Sequence, residues 1–373
     1  MNVTRFPEEG LSADYGDIIL SAVTADVEMK VYLPSDTVNP VMQELYSPDA
    51  ARMVYIRDLG KLAMYYQTET AVALSNGLDG SPVVFSVVLT ENRSTPQTVS
   101  KTVTFYRCDA ETNDSLTVEY LKRIPLSRGV SKHTFVGATE YLSFYTQGMV
   151  KARALYKGSS IDIERTVTVG SISVGNNNHY RFNVSPSYIA SLLSIDPYRL
   201  ISYAVYKGGE EPFTFHVDIR GKLNQTTFIF RNIFGAQEAM TCTGDVTGEK
   251  KWTRETGVLN RHRRQISREL ENTQTVSTGY LTADETEILE DLLNSNEVYV
   301  IKNVSLERII IQDETFKVTS RKDELISAEF KYRIASTNEL QFYLNKNRIG
   351  LYLMTNLSRL IVTNTDKRII VPR

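Results

Sequence analysis

"FIFRNIFGAQEAMTCTGD" occupies residues 228–245. A run of aromatic and β-branched residues passes through "RNIFG" into a second, threonine-rich run. Phe228 and Phe230 fall on one face of the first run, the period-two pattern of a strand. The "NIFG" between the runs predicts a tight connection. Phe234 would fold back over the sheet, and Gly235 would supply a backbone angle that other residues resist. The stretch therefore reads as strand–corner–strand, with an aromatic plug. It contains no His and no pair of acids, and its one cysteine lies among threonines.

Immediately downstream, "GEKKWTRETGVLNRHRRQISRELENTQTVSTGYL" (248–281) crowds Lys250, Lys251, Arg254, Arg261, Arg263, Arg264 and Arg268 beside Trp252 and His262. A basic cluster with an aromatic is one signature of a nucleic-acid patch. The other reading is a solvent-facing ribbon or subunit contact, offset by Glu249, Glu255, Glu269 and Glu271. Sparse stacking aromatics and a net charge of −2 favour the second, which makes the seven cations candidate subunit-contact residues.

"TADETEILEDLLNSN" (282–296) carries the strongest helix signal of the chain. Thr282 as N-cap with Glu285 three positions on forms a capping box, and Asp284 and Glu285 load the first turn with negative charge. Ile288, Leu289, Leu292 and Leu293 make an apolar stripe that predicts a helix over 282–294 lying on a sheet. Glu287, Glu290 and Asp291 are assigned to its wet side. "EVYVI", "RIIIQDETFKVTSRKD" and "LISAEFKYRIAS" then return to strands. The tail, 338–373, adds apolar runs and reads as a strand extension.

Upstream the chain is again rich in strands. Residues 16–34 alternate in two runs, and 53–68 continue the theme with "DLG" as a turn between strands. Residues 81–109 form a long hairpin whose polar tip, "ENRSTPQ", holds a proline that a ladder interior would exclude. In "SSIDIERTVTV" (159–169), Ile161 and Ile163 share one face and Asp162 and Glu164 the other. That makes the two acids neighbours on a solvated strand rather than an acid–base pair. An Asn/Gly tip follows within 173–184. "SPSYIASLLSI" (185–195) predicts a short helix with Ser185 at the N-cap and Pro186 at the first helical position. Residues 198–219 read as a hairpin with "KGGEEP" at its turn.

The 373 residues suit two or three domains. The expected fold class is mainly β: tandem β-sandwich-like domains with one flanking α-helix in the C-terminal domain. The expected divisions are 1–115, 116–220, 221–337 and the extension 338–373. Twenty-one tyrosines against one tryptophan fit half-buried pleated surfaces. The N-terminus shows no basic region followed by an apolar core, so no signal peptide is expected. No window approaches a membrane-spanning length. Cys108 and Cys242 lie far apart, and their spacing does not decide between a disulfide and two buried thiols.

Candidate chemistry is sparse. His133, His179, His216 and His262 have no partner at metal-ligand spacing. Sequences of the C-x-x-C, H-E-x-x-H, G-x-S-x-G and P-loop types do not occur. The expectation is a non-enzyme without a cofactor.

The region 215–337 resembles a module of bacteriophage and prophage tail proteins. The resemblance rests on "FIFRNIFGAQEAMTCTG", the charged ribbon, "STGYLTADETEILEDLLNSNEVYVI" and the closing strand pair. It implies a β-sandwich with a flanking helix, serving as a ring- or hub-forming unit. Where that module carries a large aromatic after the corner, this chain has Ala236 and Gln237, which leaves the corner's contact partner open. The implied function is a structural subunit of a tail or baseplate, in contact with copies of itself and other virion proteins. It would be made in the host cytoplasm and reside in the virion, with neither membrane nor nucleic acid as partner. The alternative is a non-catalytic β-sandwich module that binds glycan or another surface.

Overall fold

The computed structural model describes residues 1–67, 70–110, 116–145, 147–173, 178–208, 211–220, 225–259, 262–302, 305–312, 326–335, 351–354 and 360–363. The chain is mainly β and contains several sheets, as expected. It forms two compact units: Met1–Glu249 with Thr273–Ala335, and Lys250–Asn272 with Ser336–Arg373. Among the described residues, no helix is long and apolar enough to cross a membrane.

In the first unit, the alternating runs near the N-terminus form strands Ile18–Ser21 and Val27–Tyr32, each burying every second residue. The long hairpin pairs Val83–Glu91 with Gln97–Tyr106, from Val83 opposite Phe105 to Glu91 opposite Gln97. Its inward residues, among them Phe85, Val87 and Leu89, join Ile18, Leu20 and Met29 in one core.

Residues 53–68 depart from expectation. A short strand, Val54–Ile56, gives way to helix α1, Leu59–Tyr66, where a turn and second strand were predicted. Leu59 and Ala63 are buried four positions apart on the same helical face. The usual start signal is missing because Asp58 sits at φ 61° and its side chain makes no capping bond. A four-residue helix, α2, follows at Val118–Leu121.

Strand Gly77–Gly80 leaves the N-terminal sheets and pairs with His179–Asn183, which pairs in turn with Tyr141–Tyr145. A five-stranded sheet has the order Ser131–Phe135, Phe213–Asp218, Leu200–Lys207, Gly148–Lys157, Asp162–Ile172. The hairpin expected over 198–219 is its Leu200–Lys207/Phe213–Asp218 pair. Asp162 and Glu164 are exposed, as the strand period required. Ile161 and Ile163 are exposed too. Helix α3, Pro186–Leu193, starts as predicted with proline in its first turn. Ser185 does not cap with its side chain; its hydroxyl accepts the Glu140 amide at 2.9 Å. Residues 174–177 of the Asn/Gly tip and 209–210 of the hairpin turn lie outside the described residues.

A seven-stranded sheet has the order Gln237–Cys242, Thr226–Arg231, Val298–Lys302, Ser305–Ile311, Ile326–Ile334, His262–Leu281, Val246–Leu259. Helix α4, Ala283–Asn294, carries the predicted capping box and buries Ile288, Leu289 and Leu292. Phe228 and Phe230, Phe330, and Phe144, Phe182 and Phe215 all contribute to a single core. Residues from 142 to 332 thus share one apolar interior. Residues 313–325 lie outside the described residues.

The second unit contains the far part of the two long strands and a short hairpin, Leu351–Met354 with Leu360–Thr363.

Candidate functional site

The corner is a built structure. Gly235 donates its amide to the Asn232 carbonyl at 2.8 Å and closes the turn at φ 69°. Asn232 organises the rest. Its Oδ1 accepts the amides of Phe234 and Ala236, each at 3.1 Å. Its Nδ2 donates to the Leu126 carbonyl at 2.7 Å and to Glu238 Oε2 at 2.9 Å. Phe234 is buried, but not over its own sheet as expected. It enters a small core with Leu11, Tyr106, Cys108, Leu121 and Tyr145. Ala236 lies in that same core, so its small side chain fits where a large aromatic would overfill.

Beneath the corner is a buried ionic cluster centred on Asp79. Its Oδ1 accepts from Arg181 at 2.8 Å and from Arg231, and its Oδ2 accepts the Gln237 amide at 2.5 Å and Ser143 Oγ at 2.8 Å. Burial alone would raise the Asp79 pKa. Arg231, His179 and Arg181 outweigh it and hold the carboxyl below its ordinary value. Arg231 also donates to the Gly235 carbonyl at 3.1 Å and lies 3.5 Å from Glu297. Gln237 bridges outward, accepting from Ala73 and Arg181 and donating to Ala73. His179 sits against this cluster with neither ring nitrogen hydrogen-bonded, and burial pushes its pKa down to about 4.

A second set of charges lies on the other side of Asn232. Lys132 is 2.5 Å from Glu140 and donates to the Ala239 carbonyl. Glu238 accepts from Ser127 and Asn232. Asp291 was assigned to the wet side of α4, yet it is 2% exposed. Its position, three residues after Ile288, turns it inward beside Arg128 at 3.2 Å, while Glu287 and Glu290 stay on the outer side. Burial, reinforced by the Glu238 carboxyl, lifts the Asp291 pKa to about 7. Burial likewise raises Glu140 and Glu238.

A polar cleft of about 680 Å³ opens between these two clusters, with Arg107, Arg128, Arg231, Asn232 and Asp291 in its walls. Among the described residues, no group of three or more His, Cys, Asp or Glu could hold a metal ion. Cys108 and Cys242 are free, buried thiols in different cores, and burial pushes both pKa values up.

The candidate contact cations lie elsewhere. Lys250, Lys251 and Arg254 are exposed on strand Val246–Leu259, beside a Trp252 that is 46% exposed. Lys251 lies 4.0 Å from Glu271 on the neighbouring strand, so part of the positive charge is offset within the ribbon. Arg263, Arg264 and Arg268 are on strand His262–Leu281, with side chains that are not described. Arg261 lies outside the described residues.

Asp79 and Arg181 escaped sequence reading, and His179 was read there only as a histidine without a metal-ligand partner. Asp79 sits in "NGLDGSP", which resembles a turn, and Arg181 sits in an otherwise ordinary strand. Arg231 left one trace, a charge at the inner end of the apolar run "TTFIFR". No protein-family model matches the chain, and no curated protein matches it.

Proposed function

We propose that the chain is a non-catalytic structural subunit of a tail- or baseplate-type virion assembly, acting through contacts with copies of itself. The observation that carries this reading is the ribbon. Strands of 14 and 20 residues continue from the seven-stranded sheet into a second compact unit, and the cations at 250, 251 and 254 are exposed there. The longer strand pairs with Ile326–Ile334 over Thr273 to Leu281. A two-stranded ribbon is marginally stable in water by itself, and long free edges invite pairing. Lysine and arginine on such an edge discourage indiscriminate strand addition and leave a contact selective for acids. The resemblance of 215–337 to tail modules points the same way.

Light scattering coupled to size-exclusion chromatography tests this on three proteins: the full chain, a chain ending at residue 337, and a chain with 250–272 replaced by a short Gly/Ser turn. The full chain is expected to form a closed oligomer, and the shortened chains are expected to lose it with their β-type circular dichroism intact. A full chain that stays monomeric at every concentration tried would refute the reading.

A further inference from the structure

We propose that His133 and His216 form a surface site for a divalent transition-metal ion of the Zn²⁺ or Ni²⁺ type. Along the chain neither histidine has a partner at metal-ligand spacing. The fold supplies one. Strands Ser131–Phe135 and Phe213–Asp218 run parallel, and their register sets His133 directly opposite His216. Residues opposite each other in a sheet project from the same face. Both residues are exposed there, with ring centroids 5.7 Å apart.

That separation is close to what chelation requires. With metal–nitrogen bonds of about 2.0–2.1 Å, two imidazoles on one tetrahedral ion have centroids about 5 Å apart. Small side-chain rotations of two exposed rings close the difference.

Glu285 is the second observation. Its Oε1 accepts the His133 amide at 2.6 Å and lies 3.3 Å from His133 Nδ1, while its Oε2 accepts the Thr282 amide at 2.7 Å. The capping box of α4 thus fixes a carboxylate against one ring nitrogen. A carboxylate there keeps the proton on Nδ1 and leaves Nε2 as the acceptor, the usual support of a metal-bound histidine. With both oxygens engaged, Glu285 orients His133 and is not itself a ligand. The chain therefore offers two imidazoles, and water completes the coordination, in keeping with the absence of any three-ligand group among the described residues.

The surrounding charge favours a cation. Asp284 accepts from Ser131 at 2.8 Å, two residues from His133, and adds to the Glu285 carboxylate. Lys132 turns its ammonium inward to Glu140, and Arg220 is paired with Asp218. Imidazole ligands suit zinc, nickel and copper, whereas magnesium and calcium take oxygen ligands. This inference does not depend on the assembly reading.

Isothermal titration calorimetry on the full chain tests it, with Zn²⁺ and Ni²⁺ as probes and Mg²⁺ for comparison. Because both histidines are exposed, His133→Ala and His216→Ala should keep the circular dichroism of the wild type. His262→Ala is the comparison variant. At least one of the two transition metals is expected to bind, and each of the first two variants to weaken it at least about tenfold, since two linked ligands hold far more tightly than one. His262→Ala should bind as the wild type does. No heat from either transition metal, unchanged affinity in His133→Ala or in His216→Ala, an equal loss in His262→Ala, or equal binding of Mg²⁺ would each overturn the proposal.

Discussion

Asp79 and Arg231 form a buried ion pair although 152 residues of chain separate them. The pair ties strand Gly77–Gly80 to the start of the corner, and the same guanidinium holds the Gly235 carbonyl. The corner's geometry and the buried charge are therefore one structure.

Removing the acid should be severe. Asp79→Ala leaves Arg181 and Arg231 buried without their shared counter-charge, a loss of about 3–5 kcal/mol for a broken buried pair. Urea denaturation of the full chain measures this. Because the folded Asp79 carboxyl is held low, its contribution is present above the unfolded value and is lost as pH falls through the folded one. A loss near 0.5 kcal/mol would mean that water reaches the guanidiniums.

Phe234→Ala should cost about 3–5 kcal/mol, the usual range for truncating a buried aromatic. Gly235→Ala should cost at least about 1 kcal/mol, since it places a side chain at φ 69° and its Cβ would lie 2.5 Å from Arg107 Cδ. Equal stability of wild type and both variants in the same titration would show that the corner bears no strain and no core.

His179 should make the fold acid-sensitive. Its folded pKa, about 4, lies below the ordinary histidine value of 6.5, so the unfolded chain binds the extra proton between those values. Stability is then full above about pH 6.5 and declines as pH falls toward 4, by up to about 3 kcal/mol. Asp291 acts in the opposite direction: raised to about 7, it favours the fold at low pH and withdraws that support as pH rises. Over pH 4 to 6.5 the two slopes oppose each other, so denaturation midpoints should fall more steeply toward acid in Asp291→Asn and should fall with rising pH in His179→Phe. Identical profiles for the wild type and both variants would dismiss the two groups as determinants.

The ribbon should behave as a surface. Lys250→Glu with Arg254→Glu should shift unfolding by less than about 0.5 kcal/mol, as expected for exposed positions. The same double change should weaken self-association in sedimentation velocity, and more so at low salt, where exposed charges are least screened. A large stability loss with unchanged association would invert the assignment.

Residues that act on near neighbours in the chain were legible before folding. The box of Thr282 and Glu285 spans three residues. Pro186 needs only its place in the first turn. Phe228 and Phe230 declare a strand by their period. The hairpin at 83–106 is marked by its polar tip. Each rests on a torsion or contact within a few positions, so its signal is written contiguously. Helix α1 was missed because Asp58 makes no side-chain cap, leaving a run of apolar and aromatic residues that fits either period. Asp291 was misplaced because two helix faces adjoin it, and only the position of Arg128, more than 160 residues earlier, draws it inward. The ionic cluster and the cleft depend wholly on such distant pairings. Burying a charge is tolerable only beside its counter-charge, and no local spacing encodes a partner brought in by another strand.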